Sequence, residues 1–314
     1  MASRTRLSAI AVAAFFGVCA AAPAEAGINR AFISGAGVNS VTCGAVATPC
    51  KTLQYVHDNI INWSGEIVIT GPGEYGPVTI TKALSIANQG SGVASLTQPL
   101  TGQNAIWIKA AAGDSVSLTG LTLEGLGAAA SGVFYQSGAS LRMVDCVVRR
   151  FKNVAVYAAP SGAGKVIMTN NTLADSGGGV LLAPFQSFSA AISGLKVANN
   201  GNGLELSGRN APTGTSIYAI ATDNIGSGNA SAFLSTSIAG KAIPTLALDR
   251  AFASGNGFGV TANRGNIRLS NSIIDGNGYG VSISSGVVFS AKNNSVVDNG
   301  SKVVGGTLTV VAPD

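Results

Sequence analysis

The residues of this sequence that could do chemistry fall mainly into two groups, and the larger one is basic. Its candidate catalytic residues are Arg149, Lys152 and Asp145. Its candidate ligand-binding residues are Arg142, Arg150 and Tyr135. A polysaccharide lyase needs a base that removes the proton beside a uronate carboxylate, and cations that neutralise this carboxylate. The segment predicts an acidic-sugar site of that kind, and the alternative is an ordinary charged strand surface.

The second group is a pair of carboxylates, Asp275 and Asp298. They follow similar short apolar segments, IID and VVD, and we expect them at the same turn position of adjacent repeats. Two stacked carboxylates could bind calcium or form a general acid/base pair. Calcium is the one cofactor that this pattern suggests, and the alternative is that each Asp is a solvated turn residue.

Both groups belong to an internal repeat. A short apolar strand, a turn rich in Asn and Gly, and a second short strand recur at intervals typical of solenoids. The repeats include GLTLEGLG from Gly120, NNTLADSGGGV from Asn170, NSIIDGNGYGV from Asn271 and NSVVDNG from Asn294. The segments are two-periodic and Gly-rich, which disfavours helical repeats. Leucine-rich and calcium-binding nonapeptide patterns are absent from the sequence.

Each repeat is long enough for one coil of three short strands. The fold class predicted is therefore all-β, a single-stranded right-handed parallel β-helix of about ten coils with a short N-terminal capping helix. We expect Ile273, Val281 and Ile283 to point inward, and Ser272, Ser282 and Ser284 to point outward. The recurring asparagines at the bends should tolerate left-handed backbone and hydrogen-bond between stacked turns.

Three segments are predicted along the chain. Residues 1–26 have a basic start, an apolar run too short to span a bilayer, and a small-x-small cleavage sequence, all typical of a signal peptide. Residues 27–64 form an N-terminal cap with a Cys43–Cys50 disulfide, since two nearby cysteines in an exported chain favour a bond. Residues 65–314 form the β-helix, in which Cys146 is a core residue.

Composition limits the partners and the location. The formal net charge is only +5, and no run of Lys and Arg with interleaved aromatic residues occurs, so we expect no nucleic-acid partner. We expect no transmembrane segment after residue 26, and we predict a secreted or periplasmic protein of undetermined oligomeric state.

The segment GEIVITGPGEYGPVTITKALSI, residues 65–86, resembles the first coils of proteins with the pectin-lyase-like right-handed β-helix fold. Its matching positions are Pro72, Gly73, Tyr75, Val78, Ile80, Lys82, Leu84 and Ile86. The preceding FISGAGVNSVTCGAVATPCKTLQYV resembles an N-terminal region of uncharacterised exported bacterial β-helix proteins, in which a Cys pair also precedes a "PCKTLQ"-type helix. The resemblance covers nearly all of the chain after residue 26.

The resemblance implies a carbohydrate-related fold, but the catalytic motifs of the family's enzymes do not match. Polygalacturonases need an adjacent Asp pair and a GHG motif; this chain has no such pair, and its single histidine, His57, lies in the predicted cap. The first hypothesis is a protein that binds carbohydrate or a surface partner along one face of the solenoid. The alternatives are an acidic-polysaccharide lyase or hydrolase, and a structural or adhesion module.

Overall fold

The computed structural model describes residues 27–311, which form one parallel β-solenoid of about nine turns. The fold prediction is confirmed, and the predicted number of coils is close. The predicted signal peptide, residues 1–26, lies outside the described residues. The boundary predicted at residue 65 falls inside a strand, Ile61–Ile69, which pairs with an earlier strand, Ile28–Ile33.

Three parallel sheets run the length of the solenoid, and each coil contributes one strand to each of them. Sheet 1 contains β1 (Ile28–Ile33), β2 (Ile61–Ile69), β5 (Leu84–Asn88), β8 (Ser115–Thr119), β11 (Ser140–Val144), β14 (Gly164–Thr169), β17 (Phe188–Ser193), β20 (Ile217–Thr222), β23 (Thr245–Asp249), β26 (Asn266–Ser270), β29 (Val287–Ala291) and β32 (Thr309–Val311).

Sheet 2 has the shortest strands. It contains β3 (Gly73–Glu74), β6 (Ala94–Thr97), β9 (Leu121–Glu124), β12 (Val147–Arg149), β15 (Thr172–Ala174), β18 (Lys196–Ala198), β21 (Ile225–Ser227), β24 (Phe252–Ser254), β27 (Ile273–Asp275) and β30 (Ser295–Val297). Sheet 3 contains β4 (Val78–Ile80), β7 (Ile106–Lys109), β10 (Ser131–Ser137), β13 (Val154–Ala158), β16 (Gly178–Leu182), β19 (Asn202–Ser207), β22 (Ser231–Thr236), β25 (Phe258–Asn263), β28 (Tyr279–Ser284) and β31 (Ser301–Val304).

The core is a column of aliphatic side chains, because alternate residues of every strand point into the solenoid. One row of sheet 1 runs through Ile86, Leu118, Met143, Met168 and Ile192, all buried and in register. A single coil cannot bury such residues alone, so the stability of each coil depends on its neighbours. The free Cys146 is buried in this core, as predicted.

The predicted direction of Ile273 and Ser272 is wrong. Ile273 faces solvent, and Ile274 is the buried residue that pairs with Val296. Ser272 is buried, and its hydroxyl accepts a hydrogen bond from the backbone N–H of Ala251. The preceding Asn271 has a φ of 48°. This left-handed residue turns the chain between sheets 1 and 2 and resets the alternation by one position.

The asparagines at the bends perform two separate tasks. Some take the left-handed conformation, as Asn170, Asn199 and Asn271 do. Others point inward at the turn between sheets 2 and 3 and form a ladder. In this ladder the backbone N–H of one coil donates to the side-chain oxygen of the next, through Asn200, Asn229, Asn256, Asn277 and Asn299. The predicted hydrogen bonding between stacked turns is confirmed.

The N-terminal end is covered by helix α1 (Leu53–Asn59) and the loop that precedes it, and the Cys43–Cys50 disulfide closes that loop. Strand β4 lies at the N-terminal edge of sheet 3. Two side chains of α1 accept hydrogen bonds from backbone N–H groups in this strand and just after it. Gln54 Oε1 accepts the N–H of Thr79 at 2.7 Å, and His57 Nε2 accepts the N–H of Thr81 at 3.1 Å. The helix thus satisfies an edge that would otherwise be open to another strand. In residues 27–311 no helix combines the length and the apolar character that crossing a membrane requires.

Candidate functional site

The predicted basic residues lie on two different faces. Arg149 ends β12 of sheet 2, and Arg150 follows it in the turn. Arg142 lies in β11 of sheet 1, exposed, between Ser117 and Ile167 of the neighbouring coils. The structure therefore brings Arg149 and Arg150 together and leaves Arg142 apart.

Glu124, which was not predicted from the sequence, organises the two neighbouring arginines. Strand β9 places Glu124 directly opposite Arg149. Its Oε2 accepts the Nε–H of Arg149 at 3.1 Å, and its Oε1 accepts the Nε–H of Arg150 at 2.8 Å. The carboxylate is only 8% exposed. The available signal was periodicity, since Glu124 stands one coil before Arg149.

The pKa of Glu124 reflects two opposing influences. Burial alone would raise the pKa, because it disfavours the charged form. The hydrogen bond from Arg150, the backbone N–H of Leu126 and the two guanidinium charges outweigh this, so the pKa lies below its usual value of 4.5. The carboxylate is held ionised and serves as an anchor for the arginines.

The three predicted catalytic residues do not converge. Asp145 lies in the turn before β12, with a φ of 53° and an exposed side chain. Arg149 lies at the other end of this strand, four residues farther along the chain. Lys152 is exposed in the turn between sheets 2 and 3. The structure brings no acid, base and cation of this set to one point.

The prediction that Tyr135 binds a ligand is wrong, because its side chain is 0% exposed and points into the core. Its hydroxyl donates to the carbonyl oxygen of Gly138 at 2.6 Å, and burial raises its pKa to about 12. The neighbouring residue, Phe134, is the one that faces outward in this strand.

The predicted pairing of Asp275 with Asp298 is also off by one residue. Asp275 is in register with Val297. Asp298 has a φ of 50° and follows Val297, so it occupies the left-handed turn position that Gly276 holds in the preceding coil. Within residues 27–311 no group of three or more His, Cys, Asp and Glu side chains is arranged to hold a metal ion. Calcium binding by the two aspartates stays a prediction.

An aromatic row on the outer face of sheet 3 was not predicted. Trp107, Phe134 and Tyr157 stand on successive strands β7, β10 and β13, in register with one another. The ring centroids of Trp107 and Phe134 are 6.0 Å apart, and those of Phe134 and Tyr157 are 5.0 Å apart. The rings stack along the solenoid axis and present their edges to solvent.

A groove of about 620 Å³ lies beside this row. Phe134 and Tyr157 form one side, and the loops that follow β16 and β19 form the other. Its lining residues are Phe134, Gln136, Tyr157, Ala159, Ser161, Phe185, Gln186, Asn210 and Pro212. None of the described residues in this lining carries a charge. The groove therefore offers aromatic carbons together with amide and hydroxyl groups.

Glu205 holds the loop wall of the groove in place. It lies in β19 with its side chain on the outer face of sheet 3, yet it is buried beneath the loops. Its carboxylate accepts hydrogen bonds from Arg209 at 3.1 Å, Thr236 at 2.8 Å and Asn202 at 2.9 Å. Farther along the same loop, Asn210 donates to the carbonyl oxygen of Ala183 at 2.8 Å. These bonds tie the loop with Asn210 and Pro212 to the sheet.

Comparison with known proteins defines the fold. No family model matches the sequence, and no curated protein matches it. Among solved structures, pectate lyase Pel9A has a TM-score of 0.55 and 15% sequence identity over 92% of this chain and 79% of that chain. The A-module of the mannuronan C-5 epimerase AlgE4 of Azotobacter vinelandii has a TM-score of 0.48 and 14% identity, covering 79% of this chain and 83% of that chain. The chain has the pectin-lyase-like right-handed parallel β-helix fold.

Proposed function

We propose that this pectin-lyase-like β-helix is an exported protein that binds a polysaccharide chain in the groove on sheet 3. The groove carries the proposal. Sugar rings combine apolar C–H surfaces with many hydroxyl groups, and sites for such ligands pair aromatic side chains with a few well-placed polar groups. The volume of about 620 Å³ lies within the usual range for ligand sites.

The outward edges of the aromatic row and the exposed ring of Phe185 supply the apolar contacts. Gln136, Gln186 and Asn210 supply amide groups that can both donate to and accept from hydroxyls. Because none of the described lining residues is charged, the groove favours uncharged portions of a glycan. The structural similarity to a pectate lyase supports a carbohydrate ligand at the level of the fold.

Binding without catalysis is the form of the proposal that the site supports best, because Arg149, Lys152 and Asp145 lie apart. Export is supported by the Cys43–Cys50 disulfide, since such bonds persist in oxidising compartments. Incubation with a panel of uronate polymers, with and without calcium, tests for catalysis. A rise in the ultraviolet absorbance of unsaturated products would overturn the non-catalytic assignment.

Binding is tested by a glycan array, followed by calorimetric titration of the best oligosaccharide. Tyr157→Ala and Phe185→Ala should each weaken binding about two- to tenfold, since an aromatic contact contributes about 0.5–1.5 kcal/mol and 1.4 kcal/mol corresponds to a factor of ten. Tyr279→Ala is the matched control, because Tyr279 is an exposed aromatic residue that stacks on Phe258 on the same sheet, outside the groove. An equal loss in Tyr279→Ala, or no binding on the array, would contradict the proposal.

A further inference from the structure

A second feature, on sheet 2, is independent of the groove: two guanidinium groups fixed side by side on the surface. The side chains of Arg149 and Arg150 are 50% and 53% exposed, whereas their shared partner Glu124 is buried. Breaking these ion pairs would leave the buried carboxylate uncompensated, which is energetically costly. The arginines are therefore held in place from below, with part of each side chain open to solvent.

The way in which Glu124 holds them leaves donors free. Each arginine uses its Nε–H for the carboxylate. A guanidinium has five N–H donors in a planar fork, so the Nη groups of both residues remain. In the part of the chain that the structure describes, neither guanidinium has a second acidic partner within salt-bridge distance.

The surface beside Arg149 carries short side chains. In the outward row that contains Arg149, the next two coils contribute Ala174 and Ala198. The exposed Lys196 lies on the same face two coils away, about 10 Å along the axis. Asp175 is close enough to Arg150 to act on its charge, so the surface beside Arg149 is the more favourable place for an anion.

We infer that Arg149 and Arg150 form a binding site for a single oxyanion group, a carboxylate or a sulfate, seated beside Arg149 over Ala174. Arg149, Arg150 and the nearby Lys196 against Glu124 and Asp175, three positive charges against two negative ones, leave a net charge of +1. Guanidinium forks pair bidentately with carboxylates and with tetrahedral oxyanions such as phosphate, and arginines already fixed by Glu124 lose little freedom when they bind. The site lies on a different sheet from the groove and does not depend on a glycan occupying the groove.

The experiment follows the Nε–Hε signals of the arginines by NMR during titration with sodium acetate and, separately, sodium sulfate. Sodium chloride keeps the ionic strength constant. Saturable shifts at Arg149 and Arg150 are expected. Saturation by acetate alone assigns the site to carboxylates, and saturation by sulfate alone assigns it to sulfates. Shifts that stay linear for both anions would overturn the inference.

Two variants and a matched control complete the test. Arg149→Lys keeps the charge but loses the planar fork, and it should weaken binding at least tenfold as measured on Arg150. Arg142→Ala removes a positive charge from an exposed arginine of the same coil, on sheet 1, and should change binding less than twofold. Because Arg149→Lys keeps its charge, a loss in Arg149→Lys no larger than the loss in Arg142→Ala would show general charge attraction and would overturn the site.

Discussion

The asparagine ladder gives the sharpest test of the fold, through the substitution Asn256→Ala. Asn256 is buried, and its side-chain oxygen accepts the backbone N–H of Asn229 at 2.9 Å. Its Nδ2 donates to Gly226 O at 2.9 Å, Ser254 O at 3.1 Å and Asn277 Oδ1 at 2.9 Å. One side chain thus connects three consecutive coils.

The magnitude follows from the groups that lose a partner. Alanine leaves the buried N–H of Asn229 without an acceptor, which costs about 1–3 kcal/mol. The bonds lost by Nδ2 add roughly 0.5–1.5 kcal/mol each, less what relaxation recovers. We expect the free energy of unfolding to fall by about 3–5 kcal/mol, a large share of the ~5–15 kcal/mol that stabilises ordinary domains.

Denaturant unfolding followed by circular dichroism measures this loss. Amide hydrogen exchange locates it, and the N–H of Asn229 should lose protection before amides several coils away, because stability in a solenoid depends on neighbouring coils. Asn266→Ala is the control: this residue lies on the outer face of sheet 1, and its change should stay within about 0.5 kcal/mol. A loss below about 1 kcal/mol in Asn256→Ala, or equal losses in the two variants, would refute the reasoning.

Three further predictions concern single side chains. The pKa of Glu124 is lowered, so its ionised form stabilises the fold above the ordinary pKa of 4.5, and this stabilisation is lost as the pH falls through the folded-state pKa. The melting temperature of Glu124→Gln should therefore be below that of the native protein at pH 7, and the two melting temperatures should converge in acid. Burial raises the pKa of Cys146 to about 11, so its thiol should resist alkylation at pH 8 in the folded protein and react after unfolding; rapid native reaction would show an exposed thiol. Glu205→Gln should loosen the loop that carries Asn210 and weaken glycan binding several-fold in calorimetry, and unchanged binding would exclude Glu205 as an anchor of the groove wall.

The coil architecture could be predicted because the same pattern of short apolar strands and Asn- or Gly-containing turns recurs along the sequence. Alternating apolar residues such as Val281 and Ile283 mark strands, and an Asn or Gly at each bend marks the turn. Parallel stacking then follows, since coils of this length can bury their apolar rows only against one another. The helix of the cap was predictable from the spacing of Leu53 and Val56, both of which are buried against the first coils.

The direction of individual side chains near the turns could not be predicted in the same way. A left-handed residue such as Asn271 or Asp298 occupies a position without continuing the strand alternation. Each such residue shifts the inward and outward assignment by one, and a one-residue shift reverses the side chains of the strand that follows it. The error at Ile273 has this origin, whereas the pairing of Asp275 with Asp298 failed because the similar triplets IID and VVD lie one residue out of register.

Contacts between side chains of neighbouring coils could not be predicted, for a related reason. Glu124 and Arg149 are opposite each other only because the turns between them have particular lengths, and coil lengths in this chain vary. A search at one fixed period therefore misses such pairs. Once the register is known, the residues that share a row across successive coils can be identified. The aromatic row of Trp107, Phe134 and Tyr157 is one such row.

Regular stacking by itself gives flat faces, so a binding site on this fold needs a departure from the repeat. The groove arises where the loops after β16 and β19 rise above sheet 3, and Glu205 is buried there only because those loops cover it. The arginine pair arises where Glu124 places an ionised carboxylate beneath the surface of sheet 2. In both places a buried carboxylate on an outward row is the irregular element. Because an unpaired buried charge is costly, each such carboxylate fixes the polar groups around it, and these positions are where specific recognition can be built on an otherwise repetitive surface.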